Sequence, residues 1–314
     1  MRLLAEVLAT IPLQVCYVLA SESWDRYARM AWVSATLVRH FHPNCKISLL
    51  VDQATGKALY SPRSPLLDVV DNTVVIETGL DSALARSRFV KTTMRRWIVG
   101  DFVFLDVDAL PLAPFADILN IDAPLAAALE FNKEEKDRFF PDGIDPIYAR
   151  LNWPRPVPRY FNTGVIVLRD TAATHAACEE WHRRWLLTRD LGCLSDQPSF
   201  NSAMHETRTQ VGILPPEYNA MVLFFPWRFR ACRIAHFFES NNVGGTLLSH
   251  LVEFVEKDRT IDWNAIGKCL AEGHPWEPAC EPWQLWRSRN YLRAMVMKVR
   301  TILRMSKQKA WESN

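Results

Sequence analysis

FVFLDVD, residues 102–108, is the stretch that decides the expected fold of this chain. Its four apolar residues predict a buried β-strand, because short apolar runs bounded by polar residues are typical of such strands. Side chains alternate along a strand, so the carboxylates of Asp106 and Asp108 are expected on the same side of the sheet. Like charges at the rim of a core repel each other unless a positive charge lies between them. A hard divalent cation would supply that charge; the alternative interpretation is an Asp pair at a strand-to-loop turn.

The segments around this strand predict an α/β fold. A strand at 15–20, a helix at 27–41 and a strand at 46–51 form a β–α–β unit, which implies a parallel sheet with a right-handed crossover. Further strands are expected at 73–76, 125–129, 165–168 and 233–236, and further helices at 82–99, at 172–187 and from 196. Because such sheets bind phosphorylated ligands at the carboxyl ends of their strands, the Asp-x-Asp segment suggests a metal and diphosphate site.

The chain is expected to consist of one main domain, residues 1–245, and a helical C-terminal extension, residues 246–314. Within the first part, residues 131–160 are charged and then rich in Pro and aromatic residues, which predicts a long surface loop. Its aromatic side chains either border a site and stack on a sugar, or pack beneath the loop.

The composition is that of an ordinary globular protein, with 49% hydrophobic and 23% charged residues. A net charge of +2 gives no case for a nucleic-acid partner. Seven scattered cysteines without a Cys-x-x-Cys pair favour reduced thiols in the cytoplasm over disulfides or a zinc site. Glu6 and Pro12 interrupt the apolar N-terminal stretch, so we expect no signal peptide. No uninterrupted apolar run reaches the roughly 18 residues that a membrane span needs.

The C-terminal segment 283–311 is basic and amphipathic. It holds eight Lys and Arg residues and no acidic residue, and apolar residues such as Trp286, Leu292 and Val296 lie between them. This pattern is typical of a helix on an anionic membrane surface, and it predicts a cytoplasmic protein that is peripheral on the inner face of the plasma membrane. The alternative is a helix that packs on the domain and leaves its basic face solvated.

Several polar residues lie at the ends of predicted strands or at helix starts. His236, at a strand end, is the natural third metal ligand, and Mn²⁺ accepts mixed oxygen and imidazole ligands more readily than Mg²⁺ does. Asn162 can hydrogen-bond hydroxyl groups, although Asn-x-Gly is also a common turn. Asp196 and Gln197 pair a carboxylate with an amide at a helix start, where Asp is also a common local cap. The helix before the Asp-x-Asp strand adds two basic residues that can approach a phosphate: Arg88 and Lys91.

The order of these segments resembles that of glycosyltransferases with the GT-A fold. A polar turn after the first strand is followed by Lys, Asp-Val-Asp, Phe-Asn-Thr-Gly, Asp-Gln-Pro-x-x-Asn and His-Phe. The likeness covers roughly residues 14–238 and is greatest to family 8, the group that holds glycogenin and bacterial lipopolysaccharide galactosyltransferases, with some likeness to family 77.

The resemblance implies a Rossmann-like sheet and a Mn²⁺ (or Mg²⁺) ion that is held against the diphosphate of a UDP-linked sugar. Asp106, Val107 and Asp108 match the Asp-x-Asp motif of the family, and His236 matches the histidine that completes its metal site. The other matched positions are those that contact the nucleotide sugar in the family: Ala20, Ser21 and Tyr27 at the uridine, Lys91 and Asn162 near the donor, and Asp196 and Gln197 beside the anomeric carbon.

The implied activity is transfer of a hexose or pentose from a nucleotide sugar to a glycan or lipid-linked acceptor, with retention of anomeric configuration. Charge grows on the leaving diphosphate as the sugar becomes oxocarbenium-like, and a metal ion stabilises that charge. Asp196, Gln197 and Glu130 are the candidates to face the anomeric carbon. If the enzyme instead inverts, Asp196 or Glu130 is the expected general base.

The sequence also departs from the family pattern. Residues 237–242, FFESNN, stand where the family has Gly and Lys-Pro-Trp, and the first turn lacks Asp-Asn-Tyr. Two other classes share some of the motifs: a phosphatase of the haloacid dehalogenase type and a non-catalytic module that binds nucleotide sugars or carbohydrates. A sugar nucleotidyltransferase would share the fold, but its Gly-rich N-terminal loop is missing here.

Overall fold

A computed structural model describes residues 13–237, 245–277 and 281–299. The described strands form a seven-stranded sheet and a three-stranded sheet. The strands are β1 Gln14–Leu19, β2 Lys46–Asp52, β3 Asn72–Ile76, β4 Phe102–Leu105, β5 Ala109–Pro111, β6 Leu125–Leu129, β7 Phe161–Leu168, β8 Val211–Ile213, β9 Ala220–Met221 and β10 Ile234–His236.

Helices pack around the larger sheet, and short 3-10 turns lie in several of the connections. Residues 291–299 are also helical. The α-helices are α1 Arg26–Phe41, α2 Gln53–Tyr60, α3 Ala83–Thr93, α4 Asp145–Arg150, α5 Ala172–Asp190, α6 Gln197–Thr207, α7 Leu247–Asp258, α8 Trp263–Glu272 and α9 Pro282–Arg287.

The larger sheet has the order β3-β2-β1-β4-β7-β6-β8. The pairs β3–β2, β2–β1, β1–β4 and β6–β8 are parallel, and β7 runs antiparallel to both of its neighbours. This confirms the predicted α/β fold with a mostly parallel mixed sheet. In the smaller sheet, β10 pairs antiparallel with β5, and His236 lies opposite Ala109. That pairing brings the predicted metal ligand His236 next to the Asp-x-Asp segment.

Local sequence explains the main elements. β4 is apolar and completely buried, as the run before the Asp pair predicts. The side chain of Asp25 accepts the N–H groups of Tyr27 and Ala28 at the start of α1, and Asp52 caps α2 in the same way. Apolar side chains fill a core on each face of the larger sheet, so its strands are fixed on both sides.

Helices α7 and α8 pack into the same hydrophobic core as β1 and α1. Leu247, Leu251 and Val255 of α7 are fully buried, and Arg29 of α1 forms an ion pair with Glu256. The described part of the segment after residue 245 is therefore largely helical, as predicted, and part of it packs against α1 in the core that it shares with the sheet. The division at residue 245 into a main domain and an extension stays a prediction.

The structure corrects three sequence-based expectations. The helix predicted at 82–99 is α3 and a 3-10 turn that ends at Arg96. The predicted strand 165–168 begins four residues earlier, at Phe161, because its start also pairs with β6. Residues 131–160 contain α4 and several 3-10 turns, so this segment is more ordered than the predicted loop.

The six cysteines among the described residues are free thiols, and five of them are buried. Within the same residues, no helix is long and apolar enough to cross a bilayer. The expectation about a signal peptide concerns Glu6 and Pro12, which lie outside the described residues. The basic segment beyond residue 299 and most of residues 237–242 lie outside them as well.

Candidate functional site

The Asp-x-Asp segment forms the turn between β4 and β5. Asp106 donates its backbone N–H to the carbonyl of Gly164 at 2.8 Å, and the N–H of Ala109 donates to the carbonyl of Asp106 at 2.9 Å. Strand β4 ends at Leu105, so both carboxylates lie outside the strand. Strand alternation is therefore the wrong reason for their proximity, since the turn brings them together.

His236 completes a group of three possible metal ligands. Phe237 donates its N–H to the carbonyl of Asp108 at 3.0 Å, which fixes β10 against the turn. Nε2 of His236 lies 3.3 Å from Oδ1 of Asp108. One ligand atom from each of Asp106, Asp108 and His236 lies within 4.8 Å of the other two. These residues thus come together as predicted.

The electrostatics of this group favour a bound cation. Burial raises the pKa of Asp106, and Lys91 opposes this rise. Burial alone would lower the pKa of His236, but the carboxylates of Asp108 and Asp106 outweigh it and raise that pKa. Two carboxylates and one imidazole are a donor set that suits Mn²⁺ and, less readily, Mg²⁺. The residues present therefore fit the divalent ion that the sequence predicts.

Lys91 links the metal ligands to the candidate residue Asp196. Its Nζ lies 3.1 Å from Oδ1 of Asp106 and 3.2 Å from Oδ2 of Asp196, and it is almost completely buried. Nε of Arg88 lies 3.2 Å from the other oxygen of Asp196, and Thr163 donates its hydroxyl to Oδ2 at 2.9 Å. Burial would raise the pKa of Asp196, but the two cations lower it. The two cations therefore favour the ionised form of Asp196.

Glu130, Asn162 and Gln197 form a second polar group. Oε2 of Glu130 accepts hydrogen bonds from Nδ2 of Asn162 at 3.0 Å and from Nε2 of Gln197 at 2.7 Å. Glu130 is buried, which raises the pKa of its carboxyl group, although both hydrogen bonds oppose the rise. Its pKa is thus shifted in the opposite direction to that of Asp196, and the two predicted carboxylates differ in chemistry.

A cavity of about 490 Å³ opens beside the Asp-x-Asp turn. It is lined by the end of β1, by α1 and α3, and by the turn itself. Six of the predicted site residues lie in its wall: Ala20, Tyr27, Arg88, Asp106, Val107 and Asp108. The other predicted residues do not line it. Ser21, for example, donates its N–H to Oγ1 of Thr55 at 2.8 Å, which ties the first turn to α2.

The aromatic residues of 131–160 mostly pack beneath the segment. The ring of Phe140 contacts those of Tyr148 and Tyr160, and Trp153 lies against Tyr148. Phe139 packs against Phe131 directly after Glu130. Of the two interpretations of these aromatic residues, the structure favours packing for Phe140 and Trp153.

The roles of three residues of the site, Asn219, Thr163 and Gly164, were not predicted from the sequence. Asn219 lies between β8 and β9 and hydrogen-bonds both His236 and Asn162. Thr163 and Gly164 were seen only as part of a turn. A Cβ on Gly164 would lie 2.1 Å from Cε1 of His236, so this glycine makes room for the imidazole ring. Only the spatial arrangement reveals these contacts.

Residues 100–244 match the family model described as nucleotide-diphospho-sugar transferase. Among solved structures, the glycosyltransferase GlyE of Streptococcus pneumoniae TIGR4 is similar, with 13% identity and a TM-score of 0.51 over 86% of this chain and 67% of GlyE. No curated protein matches the chain by sequence.

Two further solved structures are similar at lower TM-scores. The galactosyltransferase LgtC, in complex with donor and acceptor sugar analogues, has 15% identity and a TM-score of 0.48 over 86% of this chain and 99% of LgtC. Mouse xyloside xylosyltransferase 1 in its apo form has 13% identity and a TM-score of 0.47 over 74% of this chain and 100% of the other.

Residues 100–244 thus resemble nucleotide-diphospho-sugar transferases, and the chain has the GT-A fold of the glycosyltransferase GlyE. Among such enzymes it resembles family 8, as its motifs predict.

Proposed function

We propose that this protein is a divalent-metal-dependent transferase that moves a hexose or pentose from UDP to a glycan or lipid-linked acceptor. The observation that carries the proposal is the convergence of Asp106, Asp108 and His236, with the two aspartates in the wall of a cavity of about 490 Å³. A Mn²⁺ ion held by these residues supplies charge neutralisation to a leaving diphosphate. The family 8 resemblance supports UDP as the nucleotide and retention as the outcome.

The cavity is where we place the nucleotide. Ala20 and Tyr27, which the resemblance puts at the uridine, line the same cavity as Asp106 and Asp108. Arg88 lines the same wall and offers its guanidinium to the diphosphate. This position compensates for the missing Lys-Pro-Trp segment, because it supplies a positive charge beside the leaving group.

The two carboxylates beside the sugar have separate roles in the proposal. Asp196 is paired with Lys91 and Arg88, so it orients these cations and holds negative charge near the developing oxocarbenium ion. Glu130 is buried and accepts hydrogen bonds from Asn162 and Gln197, so its role in the proposal is to hold these two amides in place.

The test of the proposal is hydrolysis of a panel of nucleotide sugars with and without Mn²⁺. We expect slow, Mn²⁺-dependent release of UDP from one or a few UDP-sugars, and its loss in Asp108→Ala. Val75→Ala, at an exposed side chain of the edge strand β3 outside the cavity wall, is the control that should keep this release. Normal turnover by Asp108→Ala contradicts the proposal, and nucleotide-sugar binding without any turnover supports the non-catalytic module.

We further propose that the protein binds the anionic inner face of the plasma membrane. The helical residues 291–299 carry four apolar side chains at helical spacing, and all are exposed: Leu292 at 74%, Met295 at 52%, Val296 at 44% and Val299 at 54%. Such a stripe suits insertion at the boundary between headgroups and acyl chains.

The basic residues near this stripe are exposed to solvent, and three of them also contact the body of the protein. Arg287 donates to the carbonyl of Leu223 at 3.0 Å, and the guanidinium of Arg289 lies 4.3 Å from the ring centroid of Trp227. Arg293 forms an ion pair with Glu272 at 2.6 Å. These arginines anchor the segment to the body of the protein, and the apolar stripe faces away from it.

Co-sedimentation with vesicles tests the membrane proposal. We expect the full chain to bind vesicles that contain phosphatidylserine, and Leu292→Ser with Val296→Ser to bind them several-fold more weakly. Val75→Ser, at an exposed apolar residue on the edge strand β3, is the matched control. Equal binding by the double variant and the wild type would show that the stripe does not contact lipid.

A further inference from the structure

A chain of hydrogen bonds joins His236 to Glu130. Asn219 is completely buried, and its Oδ1 lies 2.9 Å from Nδ1 of His236. Its Nδ2 donates to Oδ1 of Asn162 at 3.0 Å. Asn162 donates in turn from its own Nδ2 to Oε2 of Glu130 at 3.0 Å. Two amide side chains therefore span the distance between the metal ligands and the second polar group.

The backbone of Gly164 sets the direction of every bond in this chain. A backbone N–H can only donate, so the atom of Asn162 that it meets at 2.9 Å is the carbonyl oxygen. That oxygen also faces Asn219, which must present its NH₂ group there. The oxygen of Asn219 then faces Nδ1 of His236, so this ring nitrogen carries the proton. The tautomer of His236 thus follows from the backbone N–H of Gly164, through the side chains of Asn162 and Asn219.

The Nδ1–H form leaves the lone pair of neutral His236 on Nε2. Nε2 lies 3.3 Å from Oδ1 of Asp108, so two hydrogen-bond acceptors face each other. A cation between them turns that repulsion into attraction. Metal-bound imidazoles are commonly oriented through a hydrogen bond from their other ring nitrogen, which fixes both the ring and its tautomer.

We propose that Asn219 is a positioning residue with two simultaneous functions: it holds His236 with Nε2 directed at the cation, and it holds Asn162 toward Glu130. The inference rests on the proposed metal-dependent transfer and deepens it, because one buried amide then couples the metal ligands to the residues beside the sugar. Neither function requires Asn219 to touch the substrate.

Two substitutions separate these functions. Asn219→Leu removes both hydrogen bonds, and we expect it to weaken Mn²⁺ binding about 10–100-fold, the usual effect of losing such a supporting contact. Asn219→Asp keeps an acceptor for Nδ1–H but cannot donate to Asn162. We expect it to bind Mn²⁺ within about threefold of the wild type and to lose about tenfold or more in kcat for donor hydrolysis.

The measurement is Mn²⁺ titration of the nucleotide-free protein, followed by electron paramagnetic resonance, together with kcat of the same samples. Thr174→Val is the matched control, since it removes a buried hydrogen bond to Pro124, on the far side of the sheet from β10. Histidine nitrogen shifts, measured by NMR on the metal-free wild type above the pKa of His236, report the tautomer directly. That measurement decides the inference even if Asn219→Leu does not fold.

The outcomes distinguish this inference from the proposed function. A wild type that binds no Mn²⁺ contradicts the proposed function itself. If the wild type binds Mn²⁺ but the metal-free protein holds His236 in the Nε2–H form, the role of Asn219 is overturned and the proposed function stands. The same conclusion follows if Asn219→Leu binds Mn²⁺ as tightly as the wild type. Equal loss of Mn²⁺ affinity in Asn219→Leu and Thr174→Val indicates a general effect on folding and also overturns it.

Discussion

The imidazole of His236 is held on one side by a glycine. A Cβ at position 164 would lie 2.1 Å from Cε1 and 2.7 Å from Nδ1 of that ring, far inside van der Waals contact. Position 164 also supplies the backbone groups that fix Asp106 and Asn162. The metal ligands therefore depend on a residue that carries no functional group of its own.

We expect Gly164→Ala to displace the His236 ring and to weaken Mn²⁺ binding at least tenfold, with an overpacking cost of about 1–3 kcal/mol in the free energy of unfolding. Gly267→Ala is the control, because nothing lies within 4 Å of its added Cβ and it sits inside α8. The control should gain about 0.5–1 kcal/mol through helix propensity. Calorimetric Mn²⁺ titration and urea unfolding measure both effects; unchanged Mn²⁺ affinity in Gly164→Ala would show that the ring is not confined.

At the scale of elements, helices α3 and α5 meet at a buried histidine. Nδ1 of His182 lies 2.8 Å from Oγ1 of Thr92, and the ring packs edge-on against Phe89. Burial, with a smaller contribution from the charge of Arg96, lowers the pKa of His182 from 6.5 to about 4. The folded protein thus disfavours the protonated ring, which the unfolded chain accepts below pH 6.5.

The neutral ring therefore stabilises the fold fully above pH 6.5, and we expect that contribution to be lost as the pH falls from 6.5 toward 4. Urea unfolding at pH 7.5 and at about pH 4.5 measures the loss. In His182→Gln, which cannot titrate, the difference between the two pH values should be smaller than in the wild type. If the free energy of unfolding changed equally between the two pH values in both proteins, the titration of His182 would not be the cause.

The longer elements could be predicted because their apolar residues repeat often enough to show the period of a helix or a strand. Strands β1, β2 and β4 and helices α1, α5 and α6 fall close to their expected bounds. Of the short strands, β10 was predicted at 233–236, but β5, β8 and β9 were not, since two or three residues carry little periodic signal. The site divides in the same way. Asp106, Asp108 and His236 were identifiable from residue type and position, whereas Asn219 acts only through contacts between distant segments.

At the scale of the whole molecule, the sheet and the C-terminal helices share one core. Five aliphatic side chains of α7 are buried against it, and each contributes roughly 1.5–3 kcal/mol. Their sum of about 10 kcal/mol is comparable with the whole stability of a typical protein. The seven-stranded sheet therefore depends on residues beyond 245 for its stability.

We expect a chain that ends at residue 245 to unfold without a cooperative transition or to be insoluble. A chain that ends at residue 290 keeps α7, α8 and α9, and should retain most of the wild-type melting temperature. Thermal unfolding followed by circular dichroism compares the two. A cooperative transition at the wild-type temperature in the shorter chain would show that residues 1–245 fold independently.

The proposed function requires that Asp106, Asp108 and His236 hold the cation that binds the nucleotide diphosphate. Crystals soaked with MnCl₂ and UDP, measured at the manganese absorption edge, show where the ion binds. We expect one anomalous peak bonded to oxygens of both aspartates and to Nε2 of His236, with the diphosphate on the other side of the ion. UDP bound in the cavity with no manganese at these three side chains would contradict it.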